Sequence, residues 1–233
     1  MTNLRQRQQI YRPLLDRNPD LVQLDKYWLC ISPIRHMQLR VIIDRTSEAD
    51  CCDPKWYIWS SFLNSTDLTG MGGFYWWVKR PLVWQERSWL WSAPAMIEEL
   101  IGIIETETLP LLRKLDTLEA YAAFYRETFD RYWHAEWAPD RMLVDIALGD
   151  LDAARRIWEA LPQSYHEGVR NSDGLYFRNR WTEIRNTIVG PLLADDRPAL
   201  ARILHEWEAD NVRRAGYEPY WESTPFPLEA GLD

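Results

Sequence analysis

The sequence predicts an α+β protein, with an antiparallel sheet of four or five strands packed on helices and a helical C-terminal region. Two observations predict it. Over residues 26–91, short apolar and aromatic segments alternate with turn signals, which is typical of strands. From residue 92 onward, apolar residues recur at helical spacing. Because no flexible linker separates the two parts, we expect regions 1–136 and 137–233 to share one core.

In the first half, an opening helix is expected over residues 3–17, limited by Pro13 and Pro19. Strand candidates follow at residues 27–32, 37–44, 55–63, 74–79 and 84–91, with a loop at 45–54. In the second candidate, apolar side chains alternate with Gln38, Arg40 and Asp44, which is typical of a half-buried strand.

Capping residues and prolines mark the expected helix ends in the second half. Ser92 is placed to cap the first helix, and Pro110 is expected to kink or end it. Asp116 and Glu119 have the spacing of a capping box for the next helix, although such a box normally begins with Ser or Thr.

The C-terminal third contains a weak internal repeat. Residues 149–157 align without a gap on residues 195–203, and Asp, Ala, Arg and Ile coincide at an offset of 46 residues. Each copy combines a turn, an Asp N-cap and an amphipathic helix, and each follows another apolar helix candidate. The pair is similar to HEAT-type or related α-solenoid units. Chance similarity between two capped helices of a bundle is the alternative.

Composition restricts the classes of partner. The 233 residues carry a net charge of −8, which argues against a nucleic-acid-binding protein, since that would need a basic face. Acidity would suit a basic protein partner. The 14 tryptophans can form a rigid core, an aromatic binding face, or both.

The sequence also restricts the compartment. The three cysteines cannot all pair with one another, and reduced thiols are typical of a cytoplasmic protein. The N-terminus has no continuous apolar segment of a signal peptide, and no run approaches about 18 apolar residues. We therefore expect a cytoplasmic protein without a membrane-spanning segment.

No catalytic or cofactor motif is present, so we expect no catalytic residue, no metal and no cofactor. His134 and Glu136 would diverge on a helix, and no second His or Cys cluster completes a metal site. Cys51 and Cys52 lie among acidic residues, which raise the pKa of a thiol and lower its reactivity.

Residues 74–91 are the sharpest candidate for a binding surface. On a strand, Trp76 and Trp77 point to opposite faces, so one enters the core and the other stays on the far face. Trp, Tyr and Arg are enriched among the residues that dominate protein interfaces. The candidate binding residues are Trp76, Trp77, Arg80, Trp84 and Arg87, together with the turn pair Arg35 and His36. The alternative is that both faces are covered and the tryptophans are core.

An aromatic sheet with a W-x-V/I rhythm followed by the segment ETLPLLRKLDTLEAY (residues 107–121) resembles a group of small bacterial proteins of unknown function. Some of them are regarded as immunity proteins against contact-delivered toxins. The resemblance covers residues 25–130 and implies a cytoplasmic α+β protein that binds another protein.

These observations favour a non-enzymatic protein-binding protein, and an immunity protein that neutralises a toxin is its most concrete form. The first alternative is a small-ligand-binding protein or cryptic enzyme with a pocket lined by Trp and Tyr. The second is a homo-oligomeric protein, such as a homodimer, that associates through its aromatic face.

Overall fold

The structure, a computed structural model, describes residues 2–63, 73–78, 89–129, 138–161, 163 and 175–231. It is an α+β protein with an antiparallel sheet and a helical C-terminal region, as the sequence predicts. The chain forms two compact units. The sheet unit comprises Met1–Trp59, Gly73–Asp116 and Pro219–Glu222, and the helical unit comprises Ser60–Gly72, Thr117–Glu218 and Ser223–Asp233.

The strands of the sheet unit follow one another in a meander. They are β1 (Leu21–Leu24), β2 (Trp28–Ile31), β3 (Met37–Arg45), β4 (Cys51–Ser60), β5 (Gly73–Trp77) and β6 (Trp89–Leu90). The order in the sheet is β1-β2-β3-β4-β5, and β6 pairs with the beginning of β4. The pairings of β1 with β2, β2 with β3, β4 with β5 and β4 with β6 are antiparallel.

The helices of the sheet unit are α1 (Leu4–Arg17), α2 (Met96–Ile103) and α3 (Leu109–Lys114). Those of the helical unit are α4 (Leu118–Phe129), α5 (Ala138–Ala147), α6 (Leu151–Ala160), α7 (Leu175–Thr187), α8 (Val189–Leu193) and α9 (Arg197–Ala215). In the described part of the chain, no helix is long and apolar enough to cross a membrane.

The opening helix is confirmed. Asn3 and Gln6 form a reciprocal capping box, in which the Asn3 side chain accepts from the Gln6 N–H and the Gln6 side chain accepts from the Asn3 N–H. The helix continues through Pro13 and ends at Arg17, before Pro19. The expectation that Pro13 limits the helix is therefore wrong.

Two predictions about the strands need correction. The loop expected over 45–54 is shorter, because β4 begins at Cys51 and its first residues pair with β6. In β3, the polar residues Gln38 and Arg40 are buried like their apolar neighbours, so this strand is covered on both faces rather than half-buried. Strand β1 was not predicted, because four residues are too few to show a period.

Helix caps and Pro110 also differ from expectation. Thr117, not Asp116, caps α4, because its hydroxyl accepts from the Ala120 N–H at 3.2 Å. Ser92 instead donates hydrogen bonds to the Asp50 carboxylate. Helix α2 begins at Met96, and the backbone of the preceding residue, Ala95, has the left-handed conformation. Helix α2 ends at Ile103, before Pro110, and a π-helical turn at Ile104–Thr108 then carries the helical path past the proline into α3.

The internal repeat corresponds to two matching turns in the helical unit. Gly149 and Asp195 both have a positive φ, of 80° and 56°, and the next residue in each copy is an Asp N-cap. Asp150 accepts from the Ala153 N–H and Asp196 from the Ala199 N–H, each at 3.0 Å. The predicted caps are confirmed, while the solenoid similarity stays a prediction.

Two arginines join these turns. Arg155 of α6 donates to the Leu192 carbonyl oxygen at 3.2 Å and pairs with the Asp195 carboxylate. Arg197 of α9 donates to the Gly149 carbonyl oxygen at 3.1 Å. Each copy therefore binds the turn of the other. The predicted division at residues 136 and 137 stays a prediction, since residues 130–137 lie outside the described part.

Candidate functional site

Four aromatic rings form a continuous row across one face of the sheet, which we call the aromatic ladder: Trp28, Tyr57, Tyr75 and Trp77. Tyr57 lies directly opposite Tyr75 in the β4–β5 register, and their rings stack with centroids 5.2 Å apart. Trp28 meets Tyr57 edge-on at 5.1 Å, and Trp77 meets Tyr75 edge-on at 5.5 Å. Such offset and edge contacts stabilise aromatic pairs beyond the area they bury.

A buried arginine supports one end of the ladder. The Arg40 guanidinium lies 5.1 Å from the ring centroid of Trp28 and 5.9 Å from that of Trp59. A desolvated cation over an indole contributes about 2 kcal/mol. The sequence alone suggested a solvent-facing Arg40. The indole rings instead hold it in the interior.

A charged cluster lies beside the other end. Lys55, opposite Trp77 in the register, pairs with Asp53 at 2.9 Å and with Asp44 at 3.3 Å. The Trp77 indole N–H donates to Asp53 at 3.2 Å, so the carboxylate fixes both the cation and the ring. Burial opposes the charge of Lys55, but the hydrogen bond and charge of Asp53, with Asp44, outweigh it and raise the pKa of Lys55.

The ladder is only partly enclosed. The Tyr75 side chain is 43% exposed, while Trp28, Tyr57 and Trp77 are half-buried. Burial is the largest cause that raises the pKa of the Tyr57 hydroxyl above its ordinary value. A row of rings with one exposed member can stack against an incoming side chain without rearranging the sheet.

Trp76 lies on the other face, as its alternation with Trp77 predicts. Its partner in the register is Trp56, which is buried, yet Trp76 is 40% exposed because β5 lies at the end of the strand order. Trp76 and Trp77 therefore both keep accessible surface, and their ring centroids are 6.0 Å apart. The expectation that one of them enters the core is wrong.

The turn pair predicted from the sequence lies elsewhere. Arg35 forms ion pairs with Glu222 at 3.1 Å and with Asp116 at 3.9 Å, and His36 is buried. Both precede β3, whose opposite end carries Asp44 beside the charged cluster. The structure does not bring Arg35 or His36 to the aromatic ladder. The remaining predicted residues, Arg80, Trp84 and Arg87, lie outside the described residues.

Sequence reasoning missed most of the ladder and its charged neighbours: Trp28, Asp44, Asp53, Lys55, Tyr57 and Tyr75. The signal was available in part, since residues 53, 55, 57 and 59 share one face of a strand by alternation. The contacts between β4 and β5 could not be predicted from the sequence, because they depend on which residues of the two strands lie opposite each other.

The three cysteines are thiols with raised pKa values. All three are free and buried. Burial raises the pKa of Cys30 to about 11 and that of Cys52 to about 12. A hydrogen bond to Glu48 is the main cause that raises the pKa of Cys51 to about 11. The predicted acidic influence on the Cys51 thiol is confirmed. No group of three or more His, Cys, Asp or Glu residues in the described ranges could hold a metal ion.

In comparisons with known proteins, no family model, no curated protein and no solved structure matches this chain.

Proposed function

We propose that this protein binds another protein through the aromatic ladder. The observation that carries the proposal is the exposed Tyr75 ring in the middle of a continuous row of four rings. Tyr and Trp present large, rigid contact areas that lose little conformational entropy on binding. Half-buried neighbours hold Tyr75 in place, so its surface is already organised for contact.

The edge strand adds a second means of recognition. In the described part of the sheet, β5 pairs on one side, with β4. A strand at the end of a sheet can extend that sheet by pairing with an extended segment of a partner. Hydrogen bonds along β5 would fix the direction of the partner, and the rings of Tyr75 and Trp77 would select its side chains.

The overall charge favours a basic partner. A net charge of −8 accelerates encounter with a positively charged protein and disfavours acidic competitors. An immunity-type role, in which the chain neutralises a basic toxin in the cytoplasm, is the most concrete form of this proposal. It is supported by the resemblance of residues 107–121 and by thiols suited to a reducing compartment.

The test compares the tagged protein with its Tyr75→Ala variant in affinity capture from a lysate of the source cells, read out by quantitative mass spectrometry. Leu193→Ala is the matched control, because Leu193 is 56% exposed on α8. We expect one basic protein, captured in stoichiometric amount by the wild type and the control. The Tyr75→Ala variant should bind the purified partner at least about tenfold more weakly.

Equal capture of that partner by the Tyr75→Ala variant would contradict binding through the ladder. Light scattering of the purified chain addresses self-association in the same samples. A particle of twice 27.7 kDa that Tyr75→Ala converts to the monomer would instead assign the ladder to a homodimer. Circular dichroism of each variant must show unchanged folding, which the exposure of Tyr75 leads us to expect.

A further inference from the structure

A cleft of about 390 Å³ lies in the sheet unit where α1 begins. It is lined by Thr2, Leu4, Arg7, Lys26, Tyr27, Asp44 and Arg45. Its volume falls in the range of small-molecule sites. Its lining carries three cationic side chains against one carboxylate, in a protein whose net charge is −8.

Arg7 is the feature that distinguishes this cleft from an ordinary basic surface. Only 6% of the residue is exposed, and its Nε donates to the Ile43 carbonyl oxygen at 2.9 Å. Its guanidinium lies 4.6 Å from the ring centroid of Tyr27. Neither terminal nitrogen has a hydrogen-bond partner among the described residues. A buried cation is costly unless a charge or hydrogen bonds compensate it, so Arg7 is suited to receive an anion.

The carboxylate in the lining is already occupied. Asp44 accepts from Lys55 at 3.3 Å and from the backbone N–H of Arg45 at 2.8 Å. Among the residues that the structure describes, neither Arg7 nor Lys26 forms an ion pair. The cleft therefore keeps an excess of positive charge around Arg7.

The position of Arg7 is fixed before any ligand arrives. The buried Tyr11 hydroxyl donates to the Tyr27 carbonyl oxygen at 2.6 Å and accepts from the Ile43 N–H at 3.1 Å. These bonds hold the backbone of both residues that contact the guanidinium, Ile43 and Tyr27. A fixed planar guanidinium can donate two parallel hydrogen bonds to an oxyanion.

We infer that the cleft binds a small phosphate-bearing molecule. Its phosphate group is held between the terminal nitrogens of Arg7 and the ammonium of Lys26. A cleft of this volume exceeds the need of a single phosphate, so its organic part lies along Tyr27. A phospholipid headgroup presents the same chemistry as a soluble phosphate ester. The inference is independent of the proposed protein-binding function, because it uses no ring of the aromatic ladder.

The test is titration of the intact protein with inorganic phosphate and with ribose 5-phosphate, followed by calorimetry and by NMR of the arginine Nε–H signals. Lys26→Glu is the test variant, because Lys26 is exposed and its change leaves the core intact. Lys114→Glu, the same charge reversal on the exposed surface of α3, is the control. Sedimentation with vesicles that contain phosphatidylserine tests whether the protein binds a phospholipid headgroup.

We expect saturable binding of ribose 5-phosphate that shifts the Arg7 signal, weakens at least tenfold in Lys26→Glu and is unchanged in Lys114→Glu. Phosphate alone should bind at the same signal with lower affinity. Absence of binding at millimolar ester, or equal weakening in both variants, would overturn the inference. Vesicle binding without any ester binding would also overturn it and assign the cations to a membrane surface.

Discussion

Replacing Tyr11 by phenylalanine removes one oxygen atom from the interior of the sheet unit. Tyr11 is fully buried on α1, and its hydroxyl joins two other parts of the chain, the Tyr27 carbonyl oxygen at 2.6 Å and the Ile43 N–H at 3.1 Å. Burial raises the pKa of this hydroxyl, as expected of a group enclosed by protein. The substitution changes no packing volume beyond that atom, so its cost reports the two hydrogen bonds.

The expected loss of stability is about 2–3 kcal/mol. The lost hydrogen bond to the Tyr27 carbonyl oxygen costs about 1 kcal/mol, and leaving a buried donor without a partner costs about 1–2 kcal/mol in place of its own bond. The Ile43 N–H would be such a donor, since the phenylalanine ring offers it no acceptor. For a chain of this size, the loss corresponds to a decrease of roughly 5–10 °C in the melting temperature.

Thermal and urea unfolding of Tyr11→Phe, followed by circular dichroism, measure this loss. Tyr75→Phe is the matched control, because its hydroxyl is exposed and makes no hydrogen bond to any described residue. The control should remain within about 0.5 kcal/mol of the wild type. If Tyr11→Phe also remains within that range, the hydroxyl bridge does not stabilise the fold and the assignment of its partners is wrong.

Three further predictions concern a helix cap, the stability of the fold at low pH and the reactivity of the thiols. Asp196→Ala should cost about 1 kcal/mol through loss of the α9 cap, whereas Asp152→Ala, at a non-capping position, should cost much less in the same urea unfolding assay. Two 2.8 Å hydrogen bonds from Arg113 lower the pKa of Asp20, so its stabilisation is complete above about pH 4 and is lost as the pH falls through its folded pKa. The stability advantage of the wild type over Asp20→Asn should therefore shrink in acid, and an advantage that grows would contradict this. The three thiols should react with a disulfide reagent at pH 7 far more slowly than free cysteine, because their pKa values are about 11 to 12; rapid labelling of the folded chain would refute this.

Local signals in the sequence were sufficient for several elements. The helix over residues 3–17, the strand candidates at 27–32, 37–44, 55–63 and 74–79, and the Asp caps of the two matching turns are visible in patterns of residues only a few positions apart. Most of the candidate at 84–91 lies outside the described residues. Asp150 and Asp196 each cap the helix that begins at the next residue, so their role is visible without knowledge of the fold. The alternation of Trp76 and Trp77 across the sheet is local in the same sense.

Other features depended on contacts between distant parts of the chain. Arg40 appeared solvent-facing from its alternation with apolar neighbours, but the rings of Trp28 and Trp59 make its burial possible. Thr117 displaced Asp116 as a cap although both can accept a hydrogen bond, because the choice depends on where the backbone turns.

The α+β class, the helical second half and the aromatic, acidic character of the chain can all be predicted from the order of its residues. Periodicity and composition are properties of neighbouring residues. The stacking of Tyr57 on Tyr75, and the cleft that Arg7, Lys26 and Tyr27 line together, are visible in the folded chain alone. Strand register and helix docking bring these residues together, and both depend on the packing of the whole sheet unit rather than on any local pattern.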